Sequence, residues 1–393
     1  MMKKVLLVDT NVSSAPIYNY LVQAGYDVYV IGGNKNDYLA KSIKNYINTD
    51  YSDVDKTQEL INSLGIDYIV PGCNDRSYLV SSQLNSCGQF YGLDSLEKSE
   101  TLNNKQKFRE FANKIGLPVP PLISKENIDE EWPVIVKPVD AFSGRGVTVI
   151  HKTESHLLKD AINCAKMFSQ SNSYIVEKYV EGQLFSHTAF IAGQQIVADF
   201  VVEEHGTANP FVVDTSRVDF EFPEEMLARI RSGIKMMAQS LSLVDGLIHT
   251  QFIKNGDNYW LIEITRRCPG DLYSQLIELS TSYRYVENYT RPFINQELLV
   301  DDYTNQKSWV MRHTISQATE GFFGSIQFFR PLLLEKWVPI SVAGDYLKAS
   351  PFGRVGILFA KVDAKDKLDD LFNVTLKRNL YVIHHQKDSH VRL

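Results

Sequence analysis

Along the first quarter of the chain, short apolar runs alternate with stretches spaced as amphipathic helices. Residues 3–8 read as a strand, and Ile17, Tyr20 and Leu21 recur at helical spacing over 16–24 before Gly25. A second strand spans 27–31, a polar-faced helix 52–64, and a third strand 67–70, closed by Pro71-Gly72. This βαβαβ order predicts a parallel sheet covered by helices. Ligands of open α/β sheets sit at the carboxyl ends of strands, so 9–14 and 72–76 are candidate pocket edges. The first of these, DTNVSSAP, has no GxGxxG fingerprint, which argues against a dinucleotide site.

Residues 94–117 predict one helix with Leu96, Phe108, Phe111 and Ile115 as core positions, stopped by Gly116 and followed by Pro118, Pro120 and Pro121. The β-branched run Val134-Ile135-Val136 then leads into Lys137-Pro138, a loop over 140–146, and renewed β-propensity over 147–150. A helix over 156–168 and a strand over 173–182 follow. Paired strands over 185–191 and 195–202 meet at Ala192-Gly193, and a helix covers 224–241. Strands over 246–253 and 258–265 form a hairpin about Asn255-Gly256-Asp257, a strong turn signal. Beyond 301, strands over 325–329, 356–362 and 380–384 and a helix over 365–378 suggest a small α+β appendage.

At 393 residues the chain is long for one core, and 44% hydrophobic with 22% charged residues is the balance of a water-soluble globular protein. A formal net charge of -6 offers no general attraction to nucleic acid or anionic membrane, and no apolar run or signal segment points to a membrane. The four cysteines, Cys73, Cys87, Cys164 and Cys268, lack CxxC spacing, which favours a reducing cytoplasm over structural zinc or disulfides. His384, His385 and His390 read as surface residues.

The candidate chemistry gathers in a few stretches. A lysine at the end of a buried strand, Lys137, stands beside a loop carrying Ser143, Gly144, Arg145 and Gly146. Its ammonium can meet phosphate oxygens while loop amides fold over the rest; the plainer reading is a hairpin whose loop needs glycine. Lys105 is a further phosphate candidate, or a solvated helix residue. The strand end Glu177-Lys178-Tyr179-Val180 offers backbone groups able to imitate base pairing with adenine and apolar walls, although aromatic residues more often pack. The 246–265 hairpin brings Gln251 near Glu263, with Thr265, Arg267 and Asp271 just beyond. Such oxygen donors suit a hard cation such as Mg²⁺, and an arginine there can stabilise a transferring phosphoryl group or pair with a carboxylate. Ala208 to Asp219, with Asp214, Arg217 and Asp219, reads equally as an acceptor-binding segment or a solvated loop.

Taken in order, Lys105, PVIVKP with its glycine loop, IVEKYVEG and LIEITRR resemble the ATP-grasp superfamily over about residues 1–290. HTQF, residues 249–252, resembles the HTEF segment of its amino-acid-ligase and carbamoyl-phosphate-synthase-like branches. The resemblance implies an α/β and α+β fold: a Rossmann-like parallel-sheet domain over 1–96 and an ATP-grasp domain over 97–300. The latter would have lobes of about 120–182 and 183–300, with an appendage over 301–393. It implies that Lys105 and Lys137 hold ATP phosphates, that 143–146 close on them, and that Glu177 to Val180 line the adenine cleft. It implies that Glu263 holds Mg²⁺, with Mn²⁺ as a substitute, and that Arg267 orients an acyl phosphate or acceptor carboxylate. Lys137, Arg267 and His249 are the candidate catalytic residues. Three departures stand out. The usual acidic ribose ligand is Leu184, leaving Glu181 or His187 as substitutes; the first metal carboxylate is Gln251; and the usual asparagine is Thr265. The implied reaction joins a small carboxylate to an amine through an acyl phosphate, releasing ADP and phosphate, with small molecules and a homodimer as partners. The alternatives are a bicarbonate-using, carboxyphosphate-forming enzyme and a nucleotide-binding regulator of weak turnover, suggested by Gln251 and Thr265.

Overall fold

The computed structural model describes residues 2–124, 127–141, 144–300, 307–350 and 352–385. It divides into two compact units. One comprises the chain up to Val201 with Glu221–Pro269 and Val286–Val300; the other comprises Val202–Phe220, Gly270–Tyr285 and the chain after Val300.

The first unit opens with a four-stranded parallel sheet in the order Tyr46–Asn48, Asp27–Gly32, Lys4–Val8, Tyr68–Pro71. Val5 to Val8 are all buried, as expected of a strand covered on both faces. The strand Tyr46–Asn48 and the short helix Tyr38–Ser42 were not expected. Three half-exposed or exposed strand residues are too few to show any periodicity.

Two strand ends of this sheet meet tightly. Asp9, just past the Lys4–Val8 strand, has φ 144, and its carboxylate accepts from Ser14 Oγ at 2.8 Å and Cys73 N at 3.2 Å. Burial pushes the pKa of this carboxyl up, against those hydrogen bonds.

The helix expected over 94–117 is two helices, Leu96–Asn103 and Lys105–Lys114, broken at Asn104. Asn104 leaves helical geometry (ψ 119), and its side-chain oxygen accepts from the amides of Gln106 and Lys107, both at 3.1 Å. An asparagine cap outcompetes helix continuation there, and the break makes Lys105 the first residue of the second helix.

A three-stranded antiparallel sheet follows, Thr148–Ile150, Val134–Pro138, Tyr174–Lys178, covered by the Leu158–Phe168 helix. The larger sheet of this unit runs Asn258–Thr265, Gly246–Asn255, Gln183–Ala192 and the first part of Gln195–His205. Phe185, Ala189, Ile191, Ile248, Phe252 and Ile264 pack beneath the Glu224–Ser240 helix in one core.

In the second unit, Thr215–Val218 pairs with 202–205 and with Trp309–Ile315, which pairs with Gly356–Val362 and, through it, Leu334–Pro339. The Lys365–Leu376 helix buries Leu368, Leu371 and Phe372 in this unit's core. No helix among the described residues is long and apolar enough to cross a membrane.

Candidate functional site

Side chains alternate across a strand, so register decides which residues share a face. Gln251 lies directly opposite Glu263 on one side and Ser186 on the other; His249 lies opposite Thr265 and Thr188. One face therefore carries Ser186, Thr188, His249, Gln251, Glu263 and Thr265. The register shifts just after Gln251, so this face is set before the bulge.

His187 falls on the other face. It is fully buried, and its Nε2 lies 2.8 Å from Asp199, which also receives Arg231 Nε at 2.7 Å from the covering helix. Period-two alternation thus places His187 on the face opposite the one that bears Glu263. Burial works against Asp199, yet its hydrogen bonds to His187 and Arg231 hold its pKa at about 2. Glu181, the other ribose candidate, is exposed.

Lys105 reaches this face from the N-terminus of its helix. Its amide donates to Val139 O at 3.0 Å, its Nζ donates to Ala141 O at 3.0 Å, and the same Nζ lies 3.6 Å from Glu263 Oε1. Lys137 is buried, with its Nζ donating to Glu177 Oε2 at 2.7 Å. Burial lowers the Lys137 pKa, and Glu177 only partly restores it. Glu177, expected to line a cleft, is fully buried between Lys137 and Arg109, whose Nε donates to Glu177 Oε1 at 2.5 Å. Burial would raise the Glu177 carboxyl, but these two cations hold it below the usual carboxylate range.

Beyond Glu177 the strand end is less open than expected. The amides of Lys178 and Tyr179 donate to Pro121 O at 2.9 Å and Pro133 O at 3.0 Å, and Lys178 Nζ pairs with Glu131 at 3.0 Å. Tyr179 and Val180 are half-buried. In the glycine loop, Gly144 and Gly146 have φ 66 and 70, and Arg145 is exposed. Ser143 lies outside the described residues.

Arg267 is held by a residue from the parallel-sheet part of the chain. Its Nε and Nη2 donate to the two oxygens of Asp75 at 3.0 and 2.8 Å, a fork-to-fork ion pair. Asp75 opens the Asp75–Leu84 helix within the expected pocket edge 72–76. His249 sits beside this pair with Nδ1 at 2.7 Å from Thr188 Oγ1; burial, and then the charge of Arg267, push its pKa down to about 3. It is therefore a neutral imidazole at physiological pH. The neighbouring Arg266 is fully buried against Asp94 at 2.8 Å and Val244 O at 2.6 Å, which gives it a structural place.

Asp214, Arg217 and Asp271 belong to the second unit. Asp214 accepts from the Thr207 and Ala208 amides, and Arg217 pairs with Glu203 at 2.8 Å and with Asp369. Asp271 receives Arg354 at 3.0 Å.

No three His, Cys, Asp or Glu side chains gather as a metal cluster among the described residues. The donor set offered by the sheet face is Glu263, Gln251 and Thr265: one carboxylate and two neutral oxygens. That set fits a hard cation that takes its remaining ligands from phosphate or water, and not a cation caged by protein alone.

Residues 130–275 match the ATP-grasp domain family. The chain is 27% identical over 301 residues to the phosphoribosylamine–glycine ligase of Pyrococcus furiosus, covering 68% of this chain and 66% of that protein. It is 22% identical over 183 residues to the carbamoyl phosphate synthase large chain of Clostridium acetobutylicum, covering 44% and 17%. The matched stretches thus span less than two thirds of either relative. Among solved structures, an L-amino acid ligase from Bacillus licheniformis superposes with a TM-score of 0.78 at 14% identity, covering 98% of this chain and 99% of that one. The biotin carboxylase domain of the Hydrogenobacter thermophilus 2-oxoglutarate carboxylase, solved with MgADP and bicarbonate, gives 0.76 at 14% identity, covering 98% and 92%. Residues 130–275 thus match the ATP-grasp domain family, and the chain shares its fold with the L-amino acid ligase and the biotin carboxylase domain.

Proposed function

We propose that the protein is an ATP-dependent carboxylate–amine ligase that activates a small carboxylate as an acyl phosphate and releases ADP. The observation that carries this reading is the convergence of Lys105 on Glu263, 3.6 Å apart, on a face that also bears Gln251 and Thr265. Cationic and oxygen-donor groups held together in this way match the two needs of a metal–triphosphate complex. Lys105 and Lys137 neutralise phosphate oxygens, and Gly144 and Gly146 let the loop backbone turn toward them. Glu263, Gln251 and Thr265 would hold Mg²⁺, or Mn²⁺, which supplies charge neutralisation to the phosphates when bound. Arg267 orients the acyl phosphate or the acceptor carboxylate, and doing so requires it to share or exchange Asp75. Neutral His249 can accept or donate one hydrogen bond there and adds no charge. Positioning and electrostatics supply most of the rate, and no protein nucleophile takes part. With Lys178 and Tyr179 amides engaged, an adenine edge is met by Tyr179 and Val180 side chains and by backbone beyond them.

Mg-ATP offered with pooled small carboxylic acids and amines tests this reading. ADP and phosphate appearing only with a particular acid–amine pair supports it, whereas AMP with pyrophosphate contradicts it. Likeness to the biotin carboxylase domain favours a second reading, carboxyphosphate formation from bicarbonate. ADP release with bicarbonate alone distinguishes that reading.

A further inference from the structure

Arg109 lies outside every motif the sequence singles out. It stands on an amphipathic helix, where arginine is ordinarily a solvated residue, yet it is fully buried. It is one helical turn after Lys105, on the same face. Its Nε donates to Glu177 Oε1 at 2.5 Å, and its Nη2 donates to the carbonyl of Ile262 at 2.7 Å, the residue before Glu263. The second oxygen of Glu177 receives Lys137. One side chain thus links the helix bearing Lys105, the carboxylate that tethers Lys137, and the strand that carries Glu263.

A buried ion pair is by itself weak evidence of a stabilising role. Arg109 Nη1 is buried and has no hydrogen-bond partner among the described residues. A buried charge with an unsatisfied donor is costly, and an apolar side chain of similar volume is often neutral or better in such a place. The charge balance accounts for the arrangement. A Lys137–Glu177 pair alone is neutral and has little attraction left for phosphate. With Arg109 added, the group carries one net positive charge, and Glu177 still fixes where Lys137 points.

Resting on the ATP-binding reading above, we propose that Arg109 is the positioning residue of the triphosphate site. It neutralises and clamps Glu177 so that Lys137 is both oriented and free to attract phosphate, and it braces the Glu263 strand through Ile262.

The test compares Mg-ATP and adenosine binding, each by displacement of a fluorescent nucleotide, in wild type, R109M, R109K, E177Q and R109M/E177Q. Arg109→Met is expected to weaken Mg-ATP about tenfold or more and adenosine less than about twofold, since adenosine lacks phosphates. Adding Glu177→Gln to R109M returns the net charge, so the double variant recovers about threefold or more of the lost Mg-ATP affinity. R109K keeps the charge but cannot hold Glu177 and the Ile262 carbonyl together, so it loses less Mg-ATP affinity than R109M and more than wild type. Equal losses for both ligands, no loss for Mg-ATP, or a double variant weaker than R109M overturns the proposal. If R109M does not fold, the R109K and E177Q comparison decides: R109K losing as much adenosine as Mg-ATP affinity overturns it. Wild type that binds no Mg-ATP removes the ATP reading itself, a failure separate from any behaviour of the variants.

Discussion

Asp75→Asn tests the Arg267–Asp75 pair, which ties the strand end after Thr265 to the start of the Asp75–Leu84 helix. The two charge-assisted bonds at 3.0 and 2.8 Å join groups whose side chains keep only 17% (Arg267) and 5% (Asp75) of their exposure. Removing one member of a buried pair costs roughly 3–5 kcal/mol, because the remaining charge is stranded. Asparagine keeps one acceptor for the guanidinium, which places D75N near the low end, about 3 kcal/mol. That is about two decades in the folded-to-unfolded ratio. Replacing both members, D75N/R267M, strands nothing and costs less than the single change, about 1 kcal/mol. The assay is urea unfolding in a W309F/W337F background, so that fluorescence from Trp132 and Trp260 reports the unit holding the pair.

The pH dependence carries its own sign. Burial would raise the Asp75 carboxyl, but the Arg267 guanidinium holds it below the ordinary range. A carboxylate with lowered folded pKa contributes stability that is complete above its unfolded value of ~3.9 and is lost as pH falls through the folded value. The gap between wild type and D75N is therefore full at pH 7 and closes below about pH 4. A double variant less stable than D75N, or a gap independent of pH, refutes the reasoning.

Two other expectations follow from particular contacts. The His249 pKa of about 3 means the native state refuses a proton that the unfolded chain takes up near ~6.5. Stability attributable to this histidine falls as pH drops below that value, and H249Q flattens the fall between pH 7 and 5; parallel stability curves for the two proteins count against it. Gly72→Ala would place a Cβ 2.3 Å from Asp9 Cβ and 2.6 Å from Ser14 Oγ, in the tight meeting of two parallel strands. It should cost several kcal/mol, roughly 3 or more, and lower the thermal midpoint; an unchanged midpoint shows the strand ends can part.

What the sequence made legible was local. Val134-Ile135-Val136 and the Asn255-Gly256-Asp257 turn specify a strand and a hairpin through propensity and turn chemistry alone, and the hairpin sets Gln251 opposite Glu263. The parallel sheet followed from the alternation of such elements, and the rest of the fold class from the resemblance carried by the motifs taken in order. The cap at Asn104 was hidden in a polar run whose helical spacing continued across it. Trp309–Ile315 was not anticipated because its buried Arg312 and His313 read as polar; Ser216, Thr215 and Tyr381 satisfy them from far along the chain. Arg109 shows the limit most clearly. Its partners Glu177 and Ile262 lie 68 and 153 residues away, so nothing local distinguishes it from a surface arginine. His187 was assigned by proximity in sequence, while its face is decided by strand register.

The most direct test of the account is nucleotide turnover: ADP release from Mg-ATP with defined acid–amine pairs, run beside a Lys137→Ala control. A carboxylate–amine ligase built on Lys105, Lys137 and Glu263 releases ADP and phosphate in equal amounts, dependent on both substrates and abolished in K137A. Turnover that survives in K137A, or that yields AMP and pyrophosphate, contradicts it.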